Sequence, residues 1–224
     1  KIFFYRVCGT GMGAAAYLMK DAGFDVSGGD ITFSPPMSDY LESTGMKLWT
    51  LTGKPEEDQE KIQGHDLIVV GNVVGRTSDT ATMLENSGIP FCSFPALIGA
   101  FVLQHKHVIG IAGTHGKTTT SYFLMKMLEE LGENPGYLIG GVLDNRPPSS
   151  VGSGKYFVIE SDEYDSAYFE KYSKFISYYI NDMILTSLEF DHADIYNSVE
   201  EIESQFHNAC QEMKGALIYN STFP

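Results

Sequence analysis

The stretch His107-Val108-Ile109-Gly110-Ile111-Ala112-Gly113-Thr114-His115-Gly116-Lys117-Thr118-Thr119 decides how this chain is read. Its first six residues make a short, almost wholly apolar run, the pattern of a strand buried on both faces. Gly113 and Gly116 then break the run. A helical sequence follows from Lys117 to about Leu131, with Phe123, Met127 and Leu131 at helical spacing on what reads as its packing face. A strand that turns through glycines into a helix N-terminus aims several backbone N–H groups at one point, which suits phosphate oxygens. Lys117 adds a mobile positive charge for terminal phosphates, and Thr118 a hydroxyl for Mg²⁺. The spacing is GxxGKTT, because Ile111 stands where the longer GxxxxGK[ST] pattern has its first glycine. Gly113, Thr114, His115, Gly116, Lys117, Thr118 and Thr119 are therefore expected to hold the phosphates of ATP, with Mg²⁺ or Mn²⁺.

Towards the N-terminus a second glycine loop repeats the design. Ile2–Val7 reads as a strand, Cys8-Gly9-Thr10-Gly11-Met12-Gly13 as the loop, and the alanine-rich stretch to about Ala22 as a helix. Phe24–Ser27 reads as the next strand, ending near Asp30. Gly9, Gly11 and Gly13 fit GxGxxG/A, and Asp30 lies nineteen residues beyond Gly11, placed for a ribose hydroxyl. The diphosphate of NAD or of a UDP-sugar satisfies the same geometry, so these residues leave both open. Apolar runs at Leu67–Gly71 and Ile89–Ser93 alternate with helical stretches near Met37–Thr44 and Thr80–Asn86. Such alternation predicts a doubly wound parallel sheet.

Beyond the central loop, strands are expected at Tyr137–Ile139, Tyr156–Glu160, Phe175–Tyr179, Met183–Thr186 and Ala216–Tyr219. An amphipathic helix is expected over about Val199–Met213, and Asp144–Gly154 reads as a flexible loop. The fold class is α/β: a Rossmann-like parallel-sheet domain over 1–104, then a P-loop ATPase α/β domain over 105–224 that is incomplete at its C-terminus.

Two acidic clusters each follow an apolar strand: Glu160-Ser161-Asp162-Glu163-Tyr164-Asp165 and Glu189-Phe190-Asp191-His192-Ala193-Asp194. Carboxylates so crowded repel one another unless a cation or helix dipole offsets them. Ligands of parallel sheets sit beyond the strand C-termini, so both clusters and the central loop can converge on one crevice.

Composition narrows the partners. Hydrophobic residues make up 43% and charged residues 20%, normal for a chain with a substantial core. The 15 Lys plus Arg against 29 Asp plus Glu give a net charge of -14, which argues against nucleic acid or a membrane surface as partner. Bound anions must be held by local devices. Cys8, Cys92 and Cys210 are far apart and form no CxxC or Cys/His pair, which points to the reducing cytoplasm. No apolar run is long enough to span a bilayer, and the N-terminal strand lacks the cleavage site of a signal peptide.

Taken together and in order, GTHGKTTT, ESDEYD and EFDHADIY, preceded by GTGMG and Asp30, resemble the Mur ligase family of peptidoglycan synthesis over essentially the whole chain. The resemblance implies an ATP-dependent ligase in which the first loop holds a UDP-sugar, UDP-N-acetylmuramate, through Gly9, Thr10, Gly11, Met12, Asp30 and Asn72. It implies that Lys117 contacts the β- and γ-phosphates and that Thr118 and Glu160 ligate one Mg²⁺. His192 would ligate a second metal shared with an acyl phosphate, so that Lys117, Glu160 and His192 form the catalytic set. His115, Glu163 and Asp165 would line the same crevice. Where the family often has Asn before the last motif this chain has Ser187, and no lysine lies between Lys174 and Lys214 to serve as the carbamylated bridge of some members.

Within the family, Pro35-Pro36-Met37-Ser38, Gly71-Asn72, Tyr164 and Lys171–Phe175 resemble members that attach a recycled tripeptide, L-alanyl-γ-D-glutamyl-meso-diaminopimelate, more than those that add L-alanine. Family members carry a third, amine-binding domain, so the 224 residues read as part of a longer protein. Two other readings stay open: a non-catalytic nucleotide-binding module, and an NAD-dependent enzyme built on the first loop.

Overall fold

The computed structural model describes residues 1–140, 143, 146–161, 165–187, 207, 210, 211 and 213–221, with backbone alone for 165 and 171–175. In chain order the elements are β1 (Ile2–Tyr5), α1 (Thr10–Asp21), β2 (Val26–Asp30), α2 (Met37–Ser43), β3 (Lys47–Thr50), α3 (Pro55–Ile62), β4 (Leu67–Val70), α4 (Asp79–Asn86), β5 (Phe91–Cys92) and α5 (Phe94–Phe101). They continue with β6 (His107–Ala112), α6 (Lys117–Glu130), β7 (Gly136–Leu138), β8 (Ser149–Ser150), β9 (Tyr156–Glu160), β10 (Asp165–Ala167), β11 (Glu170–Ser173), β12 (Asp182–Leu185) and β13 (Leu217–Tyr219).

The chain forms two compact units. The first comprises Lys1–Ile98 with Gly140–Ser150 and Ser166–Lys171, and the second comprises Gly99–Ile139, Val151–Asp165 and Tyr172–Pro224. The sequence reading places its divide at 104/105; the first unit ends six residues earlier and takes in two later segments.

In the first unit the sheet order is β3-β2-β1-β4-β5, and every pair is parallel. The order reverses beside β1, the geometry of a doubly wound sheet. β1 is buried at all four residues because both of its faces are covered. Small residues let α1 pack closely on its neighbours. Ala14, Ala15 and Ala16 are fully buried, and a Cβ on Gly13 would lie 2.4 Å from Met37 Sδ. Phe3, Tyr5, Leu51, Ile62, Ile68, Val70 and Leu84 form a core that Tyr168, between β10 and β11, joins. The hairpin β10–β11 is tied down where Ser93 Oγ donates to Glu170 at 2.5 Å and the rings of Phe91 and Phe169 meet edge to face.

In the second unit the strands run β13-β12-β6-β9-β7, again in parallel pairs, so β6 is central. Asp182 ties the strand starts together: its carboxylate accepts from Ala216 N at 2.7 Å and from His107 Nε2 at 2.5 Å. The backbone donor first, and then His107, hold its carboxyl below the usual range. A depressed carboxylate contributes stability above its unfolded pKa and loses it as pH falls through the folded value, so this tie weakens in acid.

Four expectations are corrected. The face Phe123, Met127 and Leu131 is exposed at 61%, 62% and 74%; α6 buries Ser121 and Met125 instead. Helical spacing alone does not say which stripe meets the sheet, and here the small Ser121 allows close approach. The expected strand over Phe175–Tyr179 is a 3₁₀ turn, Lys174–Tyr178. Of the expected flexible loop, Ser149–Ser150 is a strand whose buried Ser149 hydroxyl donates to Ala14 O at 2.7 Å, and Lys106 Nζ donates to Gly152 O and Gly154 O. β3 and α3 fill a stretch for which no element was expected. Most of the expected helix over Val199–Met213 lies outside the described residues; 207, 210 and 211 are helical.

Gly99, in α5, tests the packing. Alanine normally favours a helix over glycine by about 1 kcal/mol. A Cβ here would sit 2.1 Å from the backbone oxygen of Ser177, which cannot swing aside. Gly99→Ala should therefore destabilise the chain by about 1–3 kcal/mol in urea unfolding. Met127→Ser, on the exposed face of α6, should shift the same curve by less than about 0.5 kcal/mol.

Candidate functional site

In the second unit the loop Gly113–Gly116 leaves the C-terminal end of the central strand β6 and opens α6. Gly113 and Gly116 have φ of 126° and 83°, a region closed to most side chains. Gly113 is also a matter of space. A Cβ there would lie 2.4 Å from Thr186 Oγ1 and 2.6 Å from Ser187 O. The end of β12 thus presses directly on the loop, and four hydrogen bonds show how it shapes it. Thr114 N donates to Ser187 O at 3.1 Å and His115 N to Ser187 Oγ at 3.0 Å. Thr186 Oγ1 donates to His115 O at 2.6 Å, and Thr186 N to Ala112 O at 2.9 Å.

This bracing consumes the amides of Thr114 and His115 and leaves the start of α6 to face outward. Gly116 caps the helix without any side-chain bond. The first N–H groups of a helix have no intrahelical acceptor, so Lys117, Thr118 and Thr119 carry the donors and the positive end of the helix dipole. Thr118 and Thr119 are exposed and Lys117 is half-buried. Lys117 Nζ folds back onto Gly113 O at 2.6 Å and Thr114 O at 3.5 Å, so its charge sits over the loop.

Glu160 ends β9, the neighbour of β6, and pairs in register with Ile111. Ser161 N donates to Ile111 O at 2.8 Å, which extends the pairing to the rim of the loop. Glu160 at the end of β9 and Thr118, beyond the loop that leaves β6, thus both follow the C-terminal ends of neighbouring strands. Among the described residues no three His, Cys, Asp or Glu side chains cluster as a metal site. Mg²⁺ beside phosphates takes only one or two protein oxygens, so this pair fits it. His192, Glu163, Tyr164, Glu189, Asp191 and Asp194 lie outside the described residues, and of Asp165 only the backbone is described.

In the first unit Gly9 caps α1, and Gly13 N donates to Gly9 O at 2.7 Å. A Cβ would meet nothing at Gly9 and only ordinary contact with Phe94 at Gly11. Neither needs to be glycine for the protein's own packing, and bare backbone there suits close approach of a diphosphate. Met12 is buried against Gly71, so its side chain packs, while Thr10 and Asn72 are exposed at the strand ends. Asp30 is nearly buried. Its oxygens accept from Ile31 N and Cys8 N, each at 2.8 Å, so the carboxylate anchors the loop it was expected to serve.

Sequence reading took Thr186 as the end of a strand and Ser187 as a departure from the family's motif, and gave neither a part in shaping the loop. Their signal was only position, two residues beyond an apolar strand that neighbours the loop. Gly113→Ala should abolish ATP binding and lower stability by about 2 kcal/mol or more, since strain and clash add. Ser187→Ala keeps its carbonyl but strands the His115 amide, and ATP affinity measured by calorimetry should fall about three- to tenfold.

Comparison with known proteins gives matches over both glycine-loop segments of the chain. Residues 1–106 match the Mur ligase family, catalytic domain, and residues 111–224 the Mur ligase middle domain. Over 216 residues the chain is 40% identical to the UDP-N-acetylmuramate–L-alanyl-gamma-D-glutamyl-meso-2,6-diaminoheptandioate ligase of Escherichia coli (strain K12), covering 96% of this chain and 46% of that protein. It is 34% identical over 209 residues to the UDP-N-acetylmuramate–L-alanine ligase of Chlorobium phaeovibrioides, covering 92% of this chain and 41% of that one. The solved UDP-N-acetylmuramate:L-alanyl-gamma-D-glutamyl-meso-diaminopimelate ligase from Neisseria meningitides superposes with a TM-score of 0.89 at 39% identity, over 99% of this chain and 71% of that one. The chain spans about half the length of the curated relatives it matches. No helix among the described residues is long and apolar enough to cross a membrane. On these matches and on the two strand–loop–helix sites, the chain belongs to the Mur ligase family.

Proposed function

We propose that this chain carries the nucleotide-binding part of a cytoplasmic ATP-dependent ligase that joins the carboxylate of UDP-N-acetylmuramate to the tripeptide L-alanyl-γ-D-glutamyl-meso-diaminopimelate, as in peptidoglycan recycling. The observation that carries the reading is the braced glycine loop at the end of β6, with the uncapped N-terminus of α6 and Lys117 over it. Residues 1–104 take the UDP-sugar, through Gly9, Thr10, Gly11, Met12, Asp30 and Asn72, and residues 105–224 take ATP.

A carboxylate and an amine do not condense in water, so the carboxylate is first phosphorylated and the amine then displaces phosphate. The first step brings two anions together, and this chain's residues act on that repulsion. Lys117 Nζ exchanges its contacts with Gly113 O and Thr114 O for phosphate oxygens, a movement confined to one side chain. The amides at the start of α6 fix the phosphates' position. Thr118 Oγ1 and Glu160 would hold Mg²⁺, whose charge offsets that of the phosphates, and His192 is the candidate for a second, weaker metal position, since imidazole suits softer ions. No side chain needs to act as a covalent nucleophile.

The choice of the tripeptide over L-alanine rests on the higher identity to the relative named for the tripeptide, 40% against 34%. Supplying the complete protein with UDP-N-acetylmuramate, ATP and either amine decides it: faster product from L-alanine selects the other ligase. In the same assay Lys117→Ala should lower turnover by roughly two to three orders of magnitude, the effect of removing one preorganised charge of about 3–4 kcal/mol. Ligation within a few-fold of the unaltered protein would sink the role of Lys117.

A further inference from the structure

We propose that Arg6 contacts the diphosphate of the nucleotide held at the first glycine loop, with Asp30 as the residue that positions it. The proposal rests on the UDP-sugar reading of the first unit.

Arg6 stands where β1 ends and the chain turns toward Gly9. Its backbone is left-handed, with φ of 65°. Arg6 N and Val7 N both donate to Gly29 O, at 2.8 and 3.1 Å, so the turn is imposed by the neighbouring strand. Glycine would make this turn without strain. The arginine side chain is therefore the feature that needs explaining, and strained positions of this kind gather at functional sites.

Neutralising Asp30 is not a sufficient explanation. Each Asp30 oxygen already has a backbone donor, Ile31 N on Oδ1 and Cys8 N on Oδ2. Arg6 Nε lies 2.8 Å from Oδ1, an ion pair in which the N–H does not point along a hydrogen bond. The contact sets the direction of the guanidinium. Its side chain remains 33% exposed while that of Asp30 is 7% exposed. A guanidinium oriented through Nε keeps its two terminal nitrogens for a bidentate anion contact.

Charge makes the same point. The chain has a net charge of -14, so an anionic ligand needs a local cation. Four lysines of the first unit are engaged elsewhere: Lys20 with Thr44 O, Lys47 over the Trp49 ring, Lys54 with Glu57 and Lys61 with Thr50 O. Arg6 is two residues from Cys8, whose amide Asp30 holds, and three from Gly9, which caps α1. Through Asp30 its charge lies beside the backbone of Cys8, where the loop begins.

Calorimetry on the complete protein, with UDP-N-acetylmuramate and with uridine, tests the contact. Uridine has the base and ribose but no phosphate. Arg6→Gly relieves the backbone strain and removes the charge, and Arg6→Gln removes the charge while keeping part of the aliphatic stem and a donor. Both should weaken UDP-N-acetylmuramate roughly ten- to hundredfold, flatten the salt dependence of its binding, and leave uridine and ATP affinities unchanged. If one variant fails to fold, the other decides. Unchanged UDP-N-acetylmuramate affinity overturns the contact, as does an equal loss for uridine, which would make Arg6 a brace for the loop's shape. Failure of the unaltered protein to bind UDP-N-acetylmuramate would bring down the nucleotide-sugar reading itself.

Discussion

The pressure of the β12 terminus on Gly113 is the constraint from which the second unit's site follows. Thr186 and Ser187 occupy the space a side chain at Gly113 would need, and they hold the loop by its backbone. A glycine loop without such support would sample many conformations, and ordering it on binding would cost affinity. Here the chain's own residues fix the loop's backbone. Two amides are given to the brace, so the donors left for an anion are those at the start of α6.

The first unit solves the same problem with different groups. Its loop is held from the end of β2, by the Asp30 carboxylate on Cys8 N, and from β1, by the turn at Arg6. A backbone carbonyl and a hydroxyl brace one loop; a buried carboxylate braces the other. A buried carboxylate is stable only with donors or a counter-charge, and Asp30 has both. That sets a charged group beside the candidate diphosphate position, as Lys117 does at the second loop.

Charge explains why both sites are built this way. A chain with nearly twice as many acids as bases repels anions at long range. Binding of phosphates must come from short-range donors in fixed geometry, and both units place them at the C-terminal edge of a parallel sheet, at the start of a helix. The exposed apolar face of α6 plays no part in this, since it lies on the side of the helix away from the sheet.

Both glycine loops, their strands and their helices were legible in the sequence, because a continuous apolar run broken by glycines has few other solutions. Glu160 was legible for the same reason, as the last residue of a run that must be a buried strand. β3 and α3 were not, since Lys47–Thr50 is a short, half-exposed edge and Pro55–Ile62 has six polar or charged residues and one apolar residue, so neither shows a period. The outward direction of Phe123, Met127 and Leu131 depended on which stripe of α6 the sheet would accept. Likewise Ser187 looked like a departure from a motif, yet it holds His115 N. Local pattern determined which segments turn into phosphate cradles, since a turn and a helix start are properties of neighbouring residues. Which distant residues hold those cradles in shape was decided only when β12 and β2 came to lie beside them, because that contact depends on strand order and not on any sequence period.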